Sequence, residues 1–209
     1  MQRRIIRVRG KATASAQPDW VVISLEVGSQ HRDFGRCTGE LAHLTETLRQ
    51  DMERVGVDRD QLKTGQLSVS TSFDYQDRKR VFVGYEARHS LTLEFDLQME
   101  SLNRILKMLG QTKSRSKFTV RFSVKDPEPV RDQALEEAVK KAREKARLLA
   151  KASGVSLGEL LEIDLSWSDI YIHSSSEMIV DSHATTPGYD ITPEDVDFEE
   201  SVNLVWQIV

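Results

Sequence analysis

Cysteine is nearly absent: Cys37 is the one such residue in a chain of 209. That scarcity excludes an internal disulfide and a cysteine-based zinc site. Long apolar runs are also missing. None approaches the roughly 18–20 residues that span a bilayer, so no integral membrane segment is expected. Excess positive charge is missing too. The formal net charge is −4, which speaks against a dedicated nucleic-acid binder, whose footprint is basic. The opening MQRRIIRVRG has a basic start but no apolar h-region, so no signal peptide is expected. On that reading the protein is cytoplasmic. If a leader was removed ahead of Met1, it is periplasmic or belongs to the cell envelope. Finally, G-x-S-x-G, P-loop, G-x-G-x-x-G and H-E-x-x-H are all missing, and no Ser, His and Asp spacing suggests a triad. The expectation is a non-enzymatic protein without a cofactor.

What is present is structural patterning. The stretch from Asp126 to Gly158 reads as one long helix. Asp126 is placed to cap its start, Pro127 suits the first helical position, and Gly154 suits a left-handed close. Ala134, Ala138, Ala142, Ala146 and Ala150 recur every four residues, and Val130, Leu135, Val139 and Leu149 widen this ridge. Such a ridge lets a helix axis lie close to a sheet. Glu136 before Lys140 and Glu137 before Lys141 stand in the favourable order for i,i+4 pairs.

The rest of the chain alternates strand and helix periods. Ile6 and Val8 form a short strand that Gly10 breaks. Val21, Ile23, Leu25 and Val27 share one strand face after Pro18-Asp19. Phe34, Cys37, Leu41, Leu44, Leu48, Met52 and Val55 follow helical spacing, with Asp33 as cap and Gly56 as stop. Leu67, Val69, Phe73 and Tyr75 alternate, then Val81, Val83, Tyr85, Ala87, Leu91, Leu93 and Phe95, which makes a hairpin across 76–80. A short helix over Leu102–Leu109 and a strand over Phe118–Val124 precede the long helix. Leu161, Ile163, Leu165 and Trp167 alternate after it. Residues 169–193 lose all periodicity and read as a long loop. Val196, Phe198, Val202, Leu204, Trp206 and Ile208 give the last strand.

The order is β-β-α-β-β-α-β-α-β-β. Residues 18–124 alone give β-α-β-β-α-β, the split βαβ order of ferredoxin-like units. The expected fold class is α+β, a mainly antiparallel sheet with helices packed on one face, in one domain over 1–209. Residues 125–209 add the long helix, a strand, the loop and the final strand. Sheet edges left by this order can be managed by pairing with another subunit.

These motifs together resemble the SIMPL-domain family, whose bacterial members include periplasmic immunogenic and oxidative-stress-defence proteins. The matching residues are Val8 and Gly10 before Pro18-Asp19, Thr64 ahead of Leu67 and Val69, and Gly84-Tyr85-Glu86-Ala87. The alanine-rich helix then runs into Gly154, Leu157 and Gly158, and Pro187-Gly188 precedes the strand Val202 to Ile208. The resemblance covers almost the whole chain. It implies an α+β protein that assembles into homo-oligomers, with roles in stress defence or, in animals, adaptor-like signalling in association with a kinase. It carries over no catalytic residue.

Few residues suggest chemistry. His173 and His183 share the 169–193 loop with Asp169, Glu177 and Asp181. The set His173, Asp181 and His183 is the weak metal candidate, and with it comes the alternative of a metal-binding protein or hydrolase. A ten-residue spacing in a loop fixes no geometry, and solvated loop side chains are the simpler reading. His89 lies on an apolar strand face, where a hydrogen-bonded core or interface histidine is expected. Cys37 falls beside the apolar stripe of its helix and reads as an inert buried thiol. Arg3, Arg4, Arg7, Arg9 and Lys11 form a basic strand edge that could meet an acidic partner or phosphates; a charge row protecting a sheet edge is the simpler reading. For interaction with further copies or a protein partner, the candidates are the hairpin tip Asp77, Arg78, Lys79 and Arg80, the 169–193 loop, and Trp206 on the last strand. A small-molecule carrier with its pocket under the long helix is a third reading, which the close-packing alanine ridge opposes.

Overall fold

A computed structural model describes residues 4–76, 79–114, 116–165, 178–180 and 191–209. Its strands are β1 (Ile5–Ala16), β2 (Trp20–His31), β3 (Leu62–Gln76), β4 (Lys79–Asp96), β5 (Lys117–Ser123), β6 (Leu157–Asp164), β7 (Met178–Val180) and β8 (Val196–Ile208). The helices are α1 (Phe34–Arg54), α2 (Met99–Leu109) and α3 (Glu128–Ala152). The protein is α+β, and every strand pair is antiparallel. No helix among the described residues is long and apolar enough to cross a membrane.

The chain divides into two compact units, each with its own sheet. One unit comprises Asp19–Ser123 and Ser176–Pro193. Its sheet order is β3-β4-β2-β5-β7. The sequence order β2-α1-β3-β4-α2-β5 therefore yields a split βαβ arrangement, because β4 inserts between β2 and β3. The inward positions Val21, Ile23, Leu25 and Val27 of β2 meet Cys37, Leu41, Leu48 and Met52 of α1 and Leu102, Ile105 and Leu109 of α2 in one apolar core. The alternation of β2 and the helical spacing of α1 thus both point at that core.

The ends of α1 follow from local chemistry. The Asp33 carboxylate accepts the Arg36 N–H at 2.9 Å, which satisfies one of the free donors of the first turn. At the other end Gly56 has φ +90°. Val57 N–H reaches the Met52 carbonyl and Gly56 N–H the Glu53 carbonyl, both at 3.1 Å. This is the Schellman pattern, which needs a left-handed residue where glycine stands.

The other unit comprises Met1–Pro18, Val124–Ser175 and Glu194–Val209. Its sheet order is β1-β8-β6, so the first and last strands of the chain are neighbours. Helix α3 covers β1 and β8. The five ridge alanines are all buried, and Ala138, Ala142 and Ala146 pack on Val8, Ala12, Val202, Leu204 and Trp206. Gly154, at φ +69°, closes α3 with Val155 N–H on the Ala150 carbonyl at 3.0 Å.

Several expectations need correction. Gly10 does not end β1, which runs on to Ala16. A Cβ at Gly10 would stand 1.9 Å from the Ala138 carbonyl oxygen and 2.8 Å from Ala142 Cβ. The glycine is there because the helix lies on the strand. Asp126 does not cap α3. Pro127 takes the cap position with no side-chain bond, and Pro129 in the first turn has no N–H for a cap to receive. Leu149 is exposed and does not widen the buried ridge. Lys140 pairs with Glu137 at 3.5 Å, not with Glu136. Leu161, Ile163 and Leu165 are exposed as well, since α3 packs chiefly on β1 and β8. The strands form two sheets, not one. Within 169–193, Met178–Val180 forms β7 and pairs with β5. Three consecutive apolar residues are too few to display a period.

Candidate functional site

Strand β3 is an edge of the five-stranded sheet. From Thr64 to Phe73 its sequence, TGQLSVSTSF, carries no charge. Leu67 is 63% and Val69 39% exposed. The edges of the other sheet differ. On β1, Lys11 meets Glu199 of β8 at 2.7 Å and Arg9 donates to the Ser201 hydroxyl at 3.0 Å. On β6 stand Glu159, Glu162 and Asp164. Charge of this kind blunts an edge against further pairing, whereas a long uncharged edge with apolar side chains invites it.

Two irregularities shape the β3–β4 hairpin. The register shifts between Thr64 and Gln66 and between Ser72 and Phe73. Opposite the second shift, Gly84 adopts φ +144°, and a Cβ there would stand 2.6 Å from the His31 carbonyl oxygen. The shift pairs Phe73 with Phe82. This breaks the expected run of Val81, Val83 and Tyr85 on one face and brings Phe82 to the face of Tyr85. Phe34, Tyr85, Phe82 and Phe73 then form a chain of edge-to-face contacts with centroid distances of 5.4, 5.4 and 5.8 Å. The Arg80 guanidinium sits 3.8 Å over the Phe73 ring.

Beyond this aromatic chain, between α1 and the hairpin, lies a cavity of about 310 Å3. Its apolar wall is Leu41 and Ala42 of α1 with Leu67 and Val69 of β3. Thr45, Glu46, Arg49 and His89 supply its polar side. On the α1 side the small Thr38 and Ala42 border the space, and on the β3 side Leu67 and Val69 do.

His89 is held at both ring nitrogens. Nδ1 is 3.2 Å from the Thr45 hydroxyl and Nε2 3.2 Å from the Thr64 hydroxyl. A hydroxyl both donates and accepts, so these two threonines serve a neutral imidazole in either tautomer. Burial, and secondarily the Arg49 cation, hold its pKa below the ordinary histidine value. Glu46 is engaged elsewhere: Arg59 donates to its two oxygens, at 2.9 Å from Nη1 and 2.5 Å from Nη2. That bond is the main cause of a lowered Glu46 pKa, with Arg49 a minor one. Arg49 itself has a buried Nε with no hydrogen-bond partner among the described residues. Leaving such a donor unmade costs about 1–3 kcal/mol.

The residues singled out from sequence fall as follows. His89 is the hydrogen-bonded histidine expected on that face, and it also borders the cavity. Cys37 is fully buried, with Sγ 3.3 Å from the Tyr85 carbonyl oxygen. Arg80 engages Phe73, while Asp77 and Arg78 lie outside the described residues, as does the side chain of Lys79. His173, Asp181 and His183 lie outside them too. Trp206, expected at an interaction surface, is instead 4% exposed in the core under α3. Sequence reasoning missed Thr45, Arg49 and the cavity. The available signal was a second stripe on α1, Thr38, Ala42, Thr45 and Arg49, beside the apolar one.

Comparison with known proteins finds relatives that match along most of the chain. An uncharacterized protein named YggE from Edwardsiella ictaluri is 22% identical over 95% of this chain and 84% of its own length. YggE of Escherichia coli K12, also uncharacterized, is 23% identical over 95% of this chain and 81% of its own. The 26 kDa periplasmic immunogenic protein of Brucella melitensis is 27% identical over 76% of this chain, which spans 65% of the Brucella protein. Residues 6–206 match the family described as SIMPL, protein of unknown function (DUF541). The chain belongs to the SIMPL family.

Proposed function

We propose that this protein is a non-enzymatic SIMPL-family protein that works through its surfaces, by assembling with further copies of itself along the β3 edge and presenting the hairpin to partners. The observation that carries the reading is the uncharged stretch Thr64–Phe73 on an edge strand with exposed Leu67 and Val69. Pairing a second copy there satisfies open backbone donors and acceptors and covers apolar surface in one step. The envelope is the compartment assigned under this reading, on the strength of the name of the Brucella relative.

Light scattering coupled to size exclusion over a concentration series tests the proposal. The expected result is a discrete homo-oligomer that persists on dilution. A Gln66→Lys/Ser70→Lys variant is expected to give a smaller species. Both positions are exposed, and Ser70 lies opposite Glu86, so the folded chain tolerates the lysine while the edge becomes repulsive. A wild-type monomer at every concentration, or an unchanged oligomer in the variant, overturns the reading.

A further inference from the structure

We propose that the cavity between α1 and the β3–β4 hairpin is a binding site for a small amphipathic carboxylate. Its head lies on Arg49, and its tail runs along Leu41, Leu67 and Val69 towards the aromatic chain.

Three features of the cavity converge on that ligand. The first is a lining guanidinium with no ion pair among the described residues. Arg49 lines the cavity and keeps a buried Nε without a partner among the described residues. Glu46, one turn earlier, does not answer it, because Arg59 holds both carboxylate oxygens. His89 is anchored between two threonines and adds no negative charge. A guanidinium fork matches a planar carboxylate.

The second feature is polarity arranged end to end. Arg49, Thr45 and His89 stand towards the C-terminal half of α1. Thr38 and Ala42 lead back towards Phe34, which lies one turn before Thr38 and contacts Tyr85. A ligand with one charged end and one apolar end is what such a gradient orders. The third is size. About 310 Å3 is at the small end of ligand cavities, which run from about 300 to 1,000 Å3. A medium-chain carboxylate fits, and a large cofactor does not. The site is separate from the tight contact under α3, where the alanine ridge and Gly10 leave no room even for a Cβ.

Amide chemical shifts of the intact 209-residue chain, titrated with octanoate, test this. The expected result is saturable shifts at Thr45, Arg49 and His89. Octanol, which lacks the charge, and octyltrimethylammonium, which inverts it, are expected to bind at least about tenfold more weakly. Arg49→Gln is expected to weaken octanoate about ten- to a hundredfold and to leave octanol unchanged. Ala42→Phe, at an exposed position on the cavity rim, fills the space without disturbing the core and is expected to abolish octanoate shifts while the remaining amide spectrum is retained. That variant decides the matter if Arg49→Gln does not fold. Absence of saturable shifts overturns the proposal. So does equal binding of the three probes, or octanoate binding unchanged in the folded variant. Neither substitution lies on β3, so both variants alter the cavity and leave the sequence of the edge strand unchanged.

Discussion

At the scale of single residues, burial and hydrogen bonding decide more than residue type. Five histidines look alike in a sequence. His89 is set apart by the two threonine hydroxyls that meet its ring and by the neighbouring Arg49. Its place on an apolar face was legible from alternation with Ala87 and Leu91. Thr64 and Thr45 were not legible as its partners, because the register shift at Thr64/Gln66 sets which β3 residue reaches the ring. The lowered pKa has a consequence for stability. The unfolded chain protonates this histidine near pH 6.5, and the native state does so only at lower pH. Between those values the unfolded state binds more protons, so stability falls as pH drops through the window; above it the group contributes no pH dependence. Urea denaturation of wild type and His89→Gln from neutral to acidic pH reads this out. The wild type is expected to lose stability more steeply below about pH 6.5. Parallel curves would assign the acid sensitivity to other groups.

At the scale of elements, what sequence displays is period, and what it hides is contact. The alanine ridge of α3 and the 3-4 spacing of α1 were legible because one face of each helix is buried throughout. The caps divide instructively. Asp33 was readable as a cap because its helix begins without proline, whereas Asp126 was misread because two prolines remove the need for a cap and the donor to fill. Gly10 was misread as a strand breaker. Its role depends on a helix more than a hundred residues away in the chain, and no local pattern records that. Glycine at a crossing and glycine inside a helix should therefore respond oppositely to a methyl group. Gly10→Ala forces the Cβ into the Ala138 carbonyl, and overpacking of this kind costs about 1–3 kcal/mol. Gly39 is exposed within α1, and a methyl group added there would meet nothing within 4 Å, so Gly39→Ala is expected to stabilise by about 0.5–1 kcal/mol. Denaturation midpoints of the two variants give the answer. Equal effects would mean that α3 does not rest on Gly10.

At the scale of the whole molecule, the two sheets manage their edges differently. The first and last strands pair along their full lengths, a closure that a pass along the chain cannot see. The edge strands of their sheet are β1, with Arg7, Arg9 and Lys11, and β6, with Glu159, Glu162 and Asp164. The β3 edge has no such guard from Thr64 to Phe73. The hairpin was legible in the sequence, but its exposure was not, since alternating apolar residues read as half-buried until the neighbouring element is known to stop short. Two routes to assembly follow, and ionic strength separates them. If copies join through β3, backbone hydrogen bonds and apolar side chains hold them, and mutual repulsion from the net charge of −4 opposes them only weakly. Raising salt screens that repulsion, with the Debye length falling from about 10 Å at 0.1 M to about 3 Å at 1 M, so the oligomer is expected to persist or tighten. If instead the basic β1 row of one copy meets the acidic β6 row of another, the same screening loosens the assembly. Sedimentation velocity at low and high sodium chloride distinguishes them: a shift to smaller species in high salt would place the contact on the charged edges and remove β3 as the assembly surface.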